Sequence, residues 1–176
     1  MTTFAIIMMT AAYAVALLAV VYLSRPPALR FAGALTGGFA AGGLGLGAMA
    51  LGQALGVWWI ALPSTPGVWV LFYAGFAISL TPIYLVTWRV ARRFAWRGLA
   101  VCLVGVGVIG PPRDYLYAEI YPQWMVFGPG VAPMVFDAAT YVALVALGHL
   151  AMWWVSGPAR ASRLAREPAA AEPQSR

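Results

Sequence analysis

Three carboxylates carry most of the chemical potential of this chain: Asp114, Glu119 and Asp137. The remaining acids, Glu167 and Glu172, fall in the C-terminal tail. The three lie in or beside long apolar runs. Placing an ionisable side chain there costs roughly 2.5–3.5 kcal/mol on membrane-insertion scales, so such groups usually have a task. Arg113 immediately precedes Asp114, and Tyr115, Tyr117, Tyr121 and Trp124 complete the segment Gly110–Trp124. A carboxyl among apolar groups favours its proton-bearing form through desolvation, which is the state a general acid needs. Aromatic faces stabilise a neighbouring cation. These residue types suit protonation of an alkene or epoxide, followed by isomerisation or cyclisation. The competing structural reading is an Arg113–Asp137 ion pair that docks two helices, with Asp114 and Glu119 solvated in a loop.

Helical spacing sorts the candidates. If 113–121 is helical, Asp114, Tyr117 and Tyr121 share one face and Tyr115 and Glu119 share another. Asp114 and Glu119 then diverge by about 140°. Asp137, with Tyr141 at i+4 and Gly148 at i+11 on its own face, is expected to reach across to one of them. The candidate catalytic set is Asp114, Glu119 and Asp137. The candidate substrate-binding set is Arg113, Tyr115, Tyr117, Tyr121, Trp124 and Tyr141. His149 lies twelve residues beyond Asp137, or ~18 Å along a helix, too far for a dyad. It reads as a packing or interfacial histidine. With a single histidine and a single cysteine, Cys102, the sequence implies neither a metal site nor a cofactor.

The elements that must hold these residues are membrane helices. The chain of 176 residues is 62% hydrophobic and 9% charged, against roughly 25% charged residues in a soluble domain. The expected architecture is an all-α integral membrane bundle of five transmembrane helices, at approximately 4–23, 31–56, 68–88, 98–120 and 134–156. A disordered basic tail is expected over 157–176. The net charge of +6 does not signal nucleic acid: there is no lysine, and the arginines sit at the ends of apolar runs. Ten of the eleven fall in segments that would share one side, and only Arg113 falls on the other. By the positive-inside rule the N-terminus is outside and the tail cytoplasmic. The localisation expected is a plasma membrane of bacterial type.

Within this frame, Val57–Gly67 and Met125–Pro133 read as outer loops, with Trp58 and Trp59 in the interfacial aromatic belt. Arg89–Arg97 reads as a cytoplasmic loop. The fourth span has thirteen residues before Pro111-Pro112, ~20 Å of helix, so it must continue past the prolines or the polar segment must dip into the bilayer. The second span is glycine-rich, with Gly33/Gly37, Gly38/Gly42 and Gly43/Gly47 spaced for close helix packing and for a possible helix-mediated oligomer. Gly105, Gly107 and Gly110 match G-x-G-x-x-G. They lack the strand and the downstream acid of a dinucleotide site, so they read as packing glycines. Tyr73, Tyr84 and Thr87 form a stripe suited to interhelical hydrogen bonds.

Five spans, the segment Asp114-Tyr-Leu-Tyr-Ala-Glu119 late in the fourth, and a proline-led fifth span resemble the emopamil-binding/sterol-isomerase group. They are more loosely similar to the small membrane-bound terpene cyclases. The resemblance covers about the last third of the chain. It implies an isoprenoid-like lipid substrate and acid–base chemistry without a cofactor. The sterol isomerases also use a histidine and acids on earlier helices, and spans one to three here have no histidine, aspartate or glutamate. The resemblance therefore assigns no catalytic residue. The alternative expectation is a non-catalytic membrane protein: an accessory subunit, lipid binder or small transporter.

Overall fold

A computed structural model describes residues 3–61 and 66–158. The expected tail from residue 159 onward and the middle of the 57–67 loop lie outside the described residues. Among the described residues four helices are long and apolar enough to cross a membrane: α1 (Thr3–Ser24), α2 (Ala28–Ala54), α3 (Pro66–Ile120) and α4 (Ala132–Ser156). Two three-residue strands, β1 (Trp58–Ile60) and β2 (Met125–Phe127), complete the fold.

The expected third and fourth spans are joined in one helical element, and the loop expected between them at 89–97 is helical except at one residue. Helix α3 runs through the arginine cluster and is interrupted only at Ala95, with φ 54° and ψ −142°. Arginine is a good helix former, so RVARRF and WRG extend the flanking helices until one residue breaks them. A straight helix of 55 residues would measure ~80 Å. Yet β1, just before α3, pairs antiparallel with β2, just after it, in the register Trp58↔Phe127, Trp59↔Val126 and Ile60↔Met125. The two ends of α3 are thus at one end of the bundle, and the chain folds back at Ala95. The helix also continues through Pro111 and Pro112 to Ile120, which is the first of the two expected alternatives. Proline inside a helix removes a backbone donor and crowds the preceding turn, and membrane helices absorb this through neighbouring packing.

The small sheet replaces the two expected loops. Neither strand is long enough to show a period of two, so only the approach of the helix ends reveals it. It is extended by Ala61 N–H to the Trp124 carbonyl at 2.8 Å and Gly128 N–H to the Val57 carbonyl at 2.8 Å. The arginines gather at the opposite end. Arg30 donates to the carbonyl of Gly157, just past α4, at 2.8 Å, and Arg89 donates to the carbonyl of Ser24 at the end of α1.

Glycine decides the packing in between. In α2, Gly33, Gly37, Gly38, Gly42 and Gly45 are all buried. A methyl on Gly33 would stand 2.9 Å from the Met152 carbonyl, and one on Gly37 would press on the Gly148 backbone of α4. Gly38 and Gly42 face Ala77 and Tyr73 of α3. These five glycines are therefore occupied by contacts within the chain, whereas Gly43 and Gly47 are exposed. The tyrosine stripe of α3 fastens the same interfaces: Tyr73 donates to the Phe39 carbonyl at 2.7 Å, Tyr84 to the Leu144 carbonyl at 3.0 Å, and Thr87 Oγ1 is 3.0 Å from His149 Nδ1. Tyr84, fully buried, lies against Gly148.

Replacing Gly148 by alanine puts a methyl into the Tyr84 ring, and overpacking of this kind costs about 1–3 kcal/mol. Gly47 has nothing within 4 Å of an added Cβ, so Gly47→Ala is expected to be neutral or to gain up to about 1 kcal/mol from backbone entropy. Thermal unfolding of the two variants in detergent checks this contrast.

Candidate functional site

At the sheet end, α1, α2, both limbs of α3 and α4 enclose a cavity of about 410 Å³. Ile6, Met9, Thr10 and Tyr13 of α1 form one wall, and Gly45, Ala48 and Met49 of α2 another. The first limb of α3 contributes Phe72, Phe76 and Leu80, and Trp58, Ile60, Trp124 and Met125 of the sheet region close the end. Arg113, Asp114, Tyr117, Tyr121, Asp137 and Tyr141 supply most of the polar groups.

Seven of the nine candidate residues therefore meet on one surface, and the helical spacing explains which. Asp114, Tyr117 and Tyr121 face the cavity together, and Asp137 and Tyr141 face it from α4. Glu119, on the divergent face of α3, is exposed and does not line the cavity. Tyr115 also points away from the lining. Its ring stacks on Phe127 of β2 with centroids 4.0 Å apart, and its hydroxyl is buried without a hydrogen bond among the described residues.

Two anticipated pairings are replaced. Neither Arg113 nor Asp114 hydrogen-bonds Asp137. Arg113 instead turns back onto its neighbour, donating from Nε at 2.9 Å and from Nη2 at 2.7 Å to Asp114 Oδ1. Tyr141 bridges the helices: its hydroxyl donates to Asp114 Oδ2 at 2.8 Å and accepts from Arg113 Nη2. The interhelical tie is thus a closed carboxylate–phenol–guanidinium group. Gly110, one turn before Asp114, makes it possible, because an added Cβ would fall inside the Tyr141 ring. The absence of a side chain at Gly110 lets that ring lie flat on α3 with its hydroxyl at Asp114. Gly110 thus serves the site, beyond the packing role its motif suggested.

Asp137 is left outside this group. It is 4% exposed, and its Oδ2 has no hydrogen-bond partner among the described residues. Asp114 and Arg113 are close enough to interact with it electrostatically, and so is Tyr115. A buried polar atom without a partner is costly in a fold, and such exceptions concentrate at functional sites.

Trp58 is the residue that sequence reasoning misplaced. It does not belong to an interfacial belt. It is 5% exposed, donates from Nε1 to the Met49 carbonyl at 3.1 Å, and lies on the bare backbone of Gly52. Its ring meets Phe136 edge-on at 5.0 Å and Phe127 at 6.2 Å. Trp59, its neighbour on the other face of the strand, stays 49% exposed. The signal for this difference was the one-residue alternation of a strand, which two adjacent tryptophans hide. Tyr121 and Trp124 stack with centroids 4.8 Å apart, giving a second aromatic wall. His149 does not line the cavity and meets Thr87 instead. Among the described residues no cluster of three or more potential metal ligands occurs.

Comparison with protein-family models, with characterised proteins and with solved structures gives no match to this chain.

Tyr141→Phe removes the hydroxyl that joins Asp114 to Arg113 and is expected to cost about 1–2 kcal/mol. Gly110→Ala displaces the same ring, so the double variant should lose clearly less than the sum of the two single losses. A thermal-unfolding double-mutant cycle measures this coupling, and strict additivity would refute it.

Proposed function

We propose that this protein is a membrane-embedded acid–base enzyme, an isomerase or cyclase acting on an isoprenoid-like lipid. The observation that carries this reading is Asp137 on the lining of a mainly apolar cavity, with its Oδ2 buried and without a hydrogen-bond partner among the described residues. The cavity volume is within the ~300–1,000 Å³ usual for small-molecule sites. Its aromatic lining suits a substrate that is hydrocarbon over most of its length.

In this mechanism Asp137 donates its proton to a substrate alkene or epoxide. The carboxyl O–H bond breaks as a C–H bond, or an O–H bond with opening of the epoxide, is made. The positive charge left on carbon is met by the faces of Trp58, Phe76, Tyr117 and Tyr121. Rearrangement or ring closure follows, and loss of a proton from an adjacent carbon ends it. Asp114 is the acceptor for that proton, held in place by Arg113 and Tyr141, and return of the proton from Asp114 to Asp137 after product release restores both groups. Substrate and product have the same oxidation level, so the reaction balances without a redox cofactor. Glu119 has no part in it. The resemblance to sterol isomerases and terpene cyclases agrees with this reaction class.

The proposed setting is five crossings with the N-terminus outside. Both limbs of α3, 66–94 and 96–120, are ~40 Å long, more than the ~30 Å hydrocarbon core. Arg25, Arg30, Arg89, Arg92, Arg93 and Arg97 belong to the end opposite the cavity. The positive-inside rule makes that end cytoplasmic and turns the cavity end outward.

Two measurements test these readings. In membranes expressing the protein, Asp137→Asn should lower formation of the isoprenoid product by about 100-fold or more, while Glu119→Gln keeps it. Identical isoprenoid profiles for wild type and Asp137→Asn would refute the enzyme, and a co-purifying lipid that is never converted would make the protein a lipid binder. For topology, Gln123→Cys in a Cys102→Ser background should react with an impermeant thiol reagent added outside intact cells, and Arg93→Cys should not.

A further inference from the structure

The arginine end of the bundle carries a second concentration of function-bearing groups, independent of the cavity and of its proposed chemistry. The guanidinium carbons of Arg30, Arg89 and Arg92 lie 5.5, 5.9 and 5.9 Å from the centre of a single indole, Trp88. Trp88 is 1% exposed. The face of an indole attracts a cation, but three like charges around one ring repel each other, and no carboxylate among the described residues offsets them. The one ion pair among those residues is Arg113–Asp114, at the far end of α3.

The local hydrogen-bond inventory is also one-sided. Among the described residues, Trp88 Nε1 is buried without a partner, and so is Ser24 Oγ. The Ser24 carbonyl already accepts from Arg89. Arg30 uses two of its donors on the carbonyls of Gly157 and Pro158. Arg92 makes no side-chain hydrogen bond among the described residues. An indole N–H and a guanidinium can only donate. What this cluster lacks is therefore an acceptor-rich anion, and a phosphate oxygen set meets that need.

We propose that the Arg89–Arg92–Trp88 cluster binds the phosphate of an anionic lipid headgroup. The surroundings select lipid over a soluble phosphate. Phe94 and Trp96, one on each side of the Ala95 break, are 56% and 73% exposed, with Arg93 and Arg97 set over their rings. These exposed rings offer apolar surface to acyl chains, while Arg89 and Arg92 of the cluster supply the charge for the headgroup at the same level. Arg30 and Arg89 have structural roles on the ends of α4 and α1. Arg92, free of such a role, is the residue to test.

The experiment titrates the full chain in neutral detergent with dioleoylphosphatidylglycerol, dioleoylphosphatidylcholine or inorganic phosphate and counts bound adducts by native mass spectrometry. Phosphatidylglycerol should bind one molecule per chain at least about fivefold tighter than phosphatidylcholine. Arg92→Gln should weaken that binding about tenfold, Arg92→Lys should restore part of it, and Arg97→Gln, off the Trp88 cluster, should leave it unchanged. Equal binding of the two lipids would overturn the proposal. So would an equal loss in Arg92→Gln and Arg97→Gln, which would mean diffuse charge attraction. Competition by millimolar inorganic phosphate would overturn the lipid assignment.

Discussion

Bare backbone at Gly37 and Gly148 sets the spacing of the whole bundle. Where α2 crosses α4, no side chain separates them, and the Tyr84 ring of α3 fills the angle between the two helices. In lipid there is little hydrophobic gain in pressing one apolar helix on another, so close van der Waals contact and interhelical hydrogen bonds must hold the assembly. This chain supplies both at one place: glycines that admit the neighbour, and tyrosine and threonine hydroxyls that fasten it. The bonds from Tyr73 to Phe39 and from Tyr84 to Leu144 each end on a backbone carbonyl.

The cavity is a consequence of that arrangement. The helices are tight at Gly33, Gly37 and Gly38. Towards the sheet, Gly45 faces the Phe76 ring and Gly52 faces Trp58, so large rings stand where backbones would otherwise meet. The β1–β2 pair keeps the ends of α2, α3 and α4 in register and puts Trp58 across the end of the space. Asp137 projects into this enclosure from the second turn of α4. The helix that carries it is anchored at its far end by Arg30 on the Gly157 carbonyl.

The polarity of the bundle follows from the same economy of charge. The described acids, Asp114, Glu119 and Asp137, are at the sheet end, and apart from Arg113 the described arginines are at the other. One carboxylate at the sheet end is paired with Arg113 and hydrogen-bonded by a phenol, one is exposed, and one is buried with an oxygen unpartnered among the described residues. The arginine end has no such balance within the described residues. Each end is therefore incomplete in a complementary sense, one towards a group that engages a carboxyl and one towards an anion.

Much of this could be read from the chain alone. Apolar run length determines helices long and apolar enough to cross a membrane, because few residues besides apolar ones tolerate hydrocarbon and a helix satisfies its own backbone. A rise of 100° per residue separates Asp114, Tyr117 and Tyr121 from Tyr115 and Glu119, and the folded chain keeps that division. Three things belong to the tertiary structure. The reversal at Ala95 is a single backbone conformation with no residue-type signature, since alanine gives no hint of a positive φ. The β1–β2 pairing depends on helix ends distant in sequence, and it carries Trp58 from the expected interface to the cavity. The isolation of Asp137 depends on Arg113 choosing Asp114 and Tyr141 as partners, a choice among side chains of similar reach that was decided by the bare backbone at Gly110.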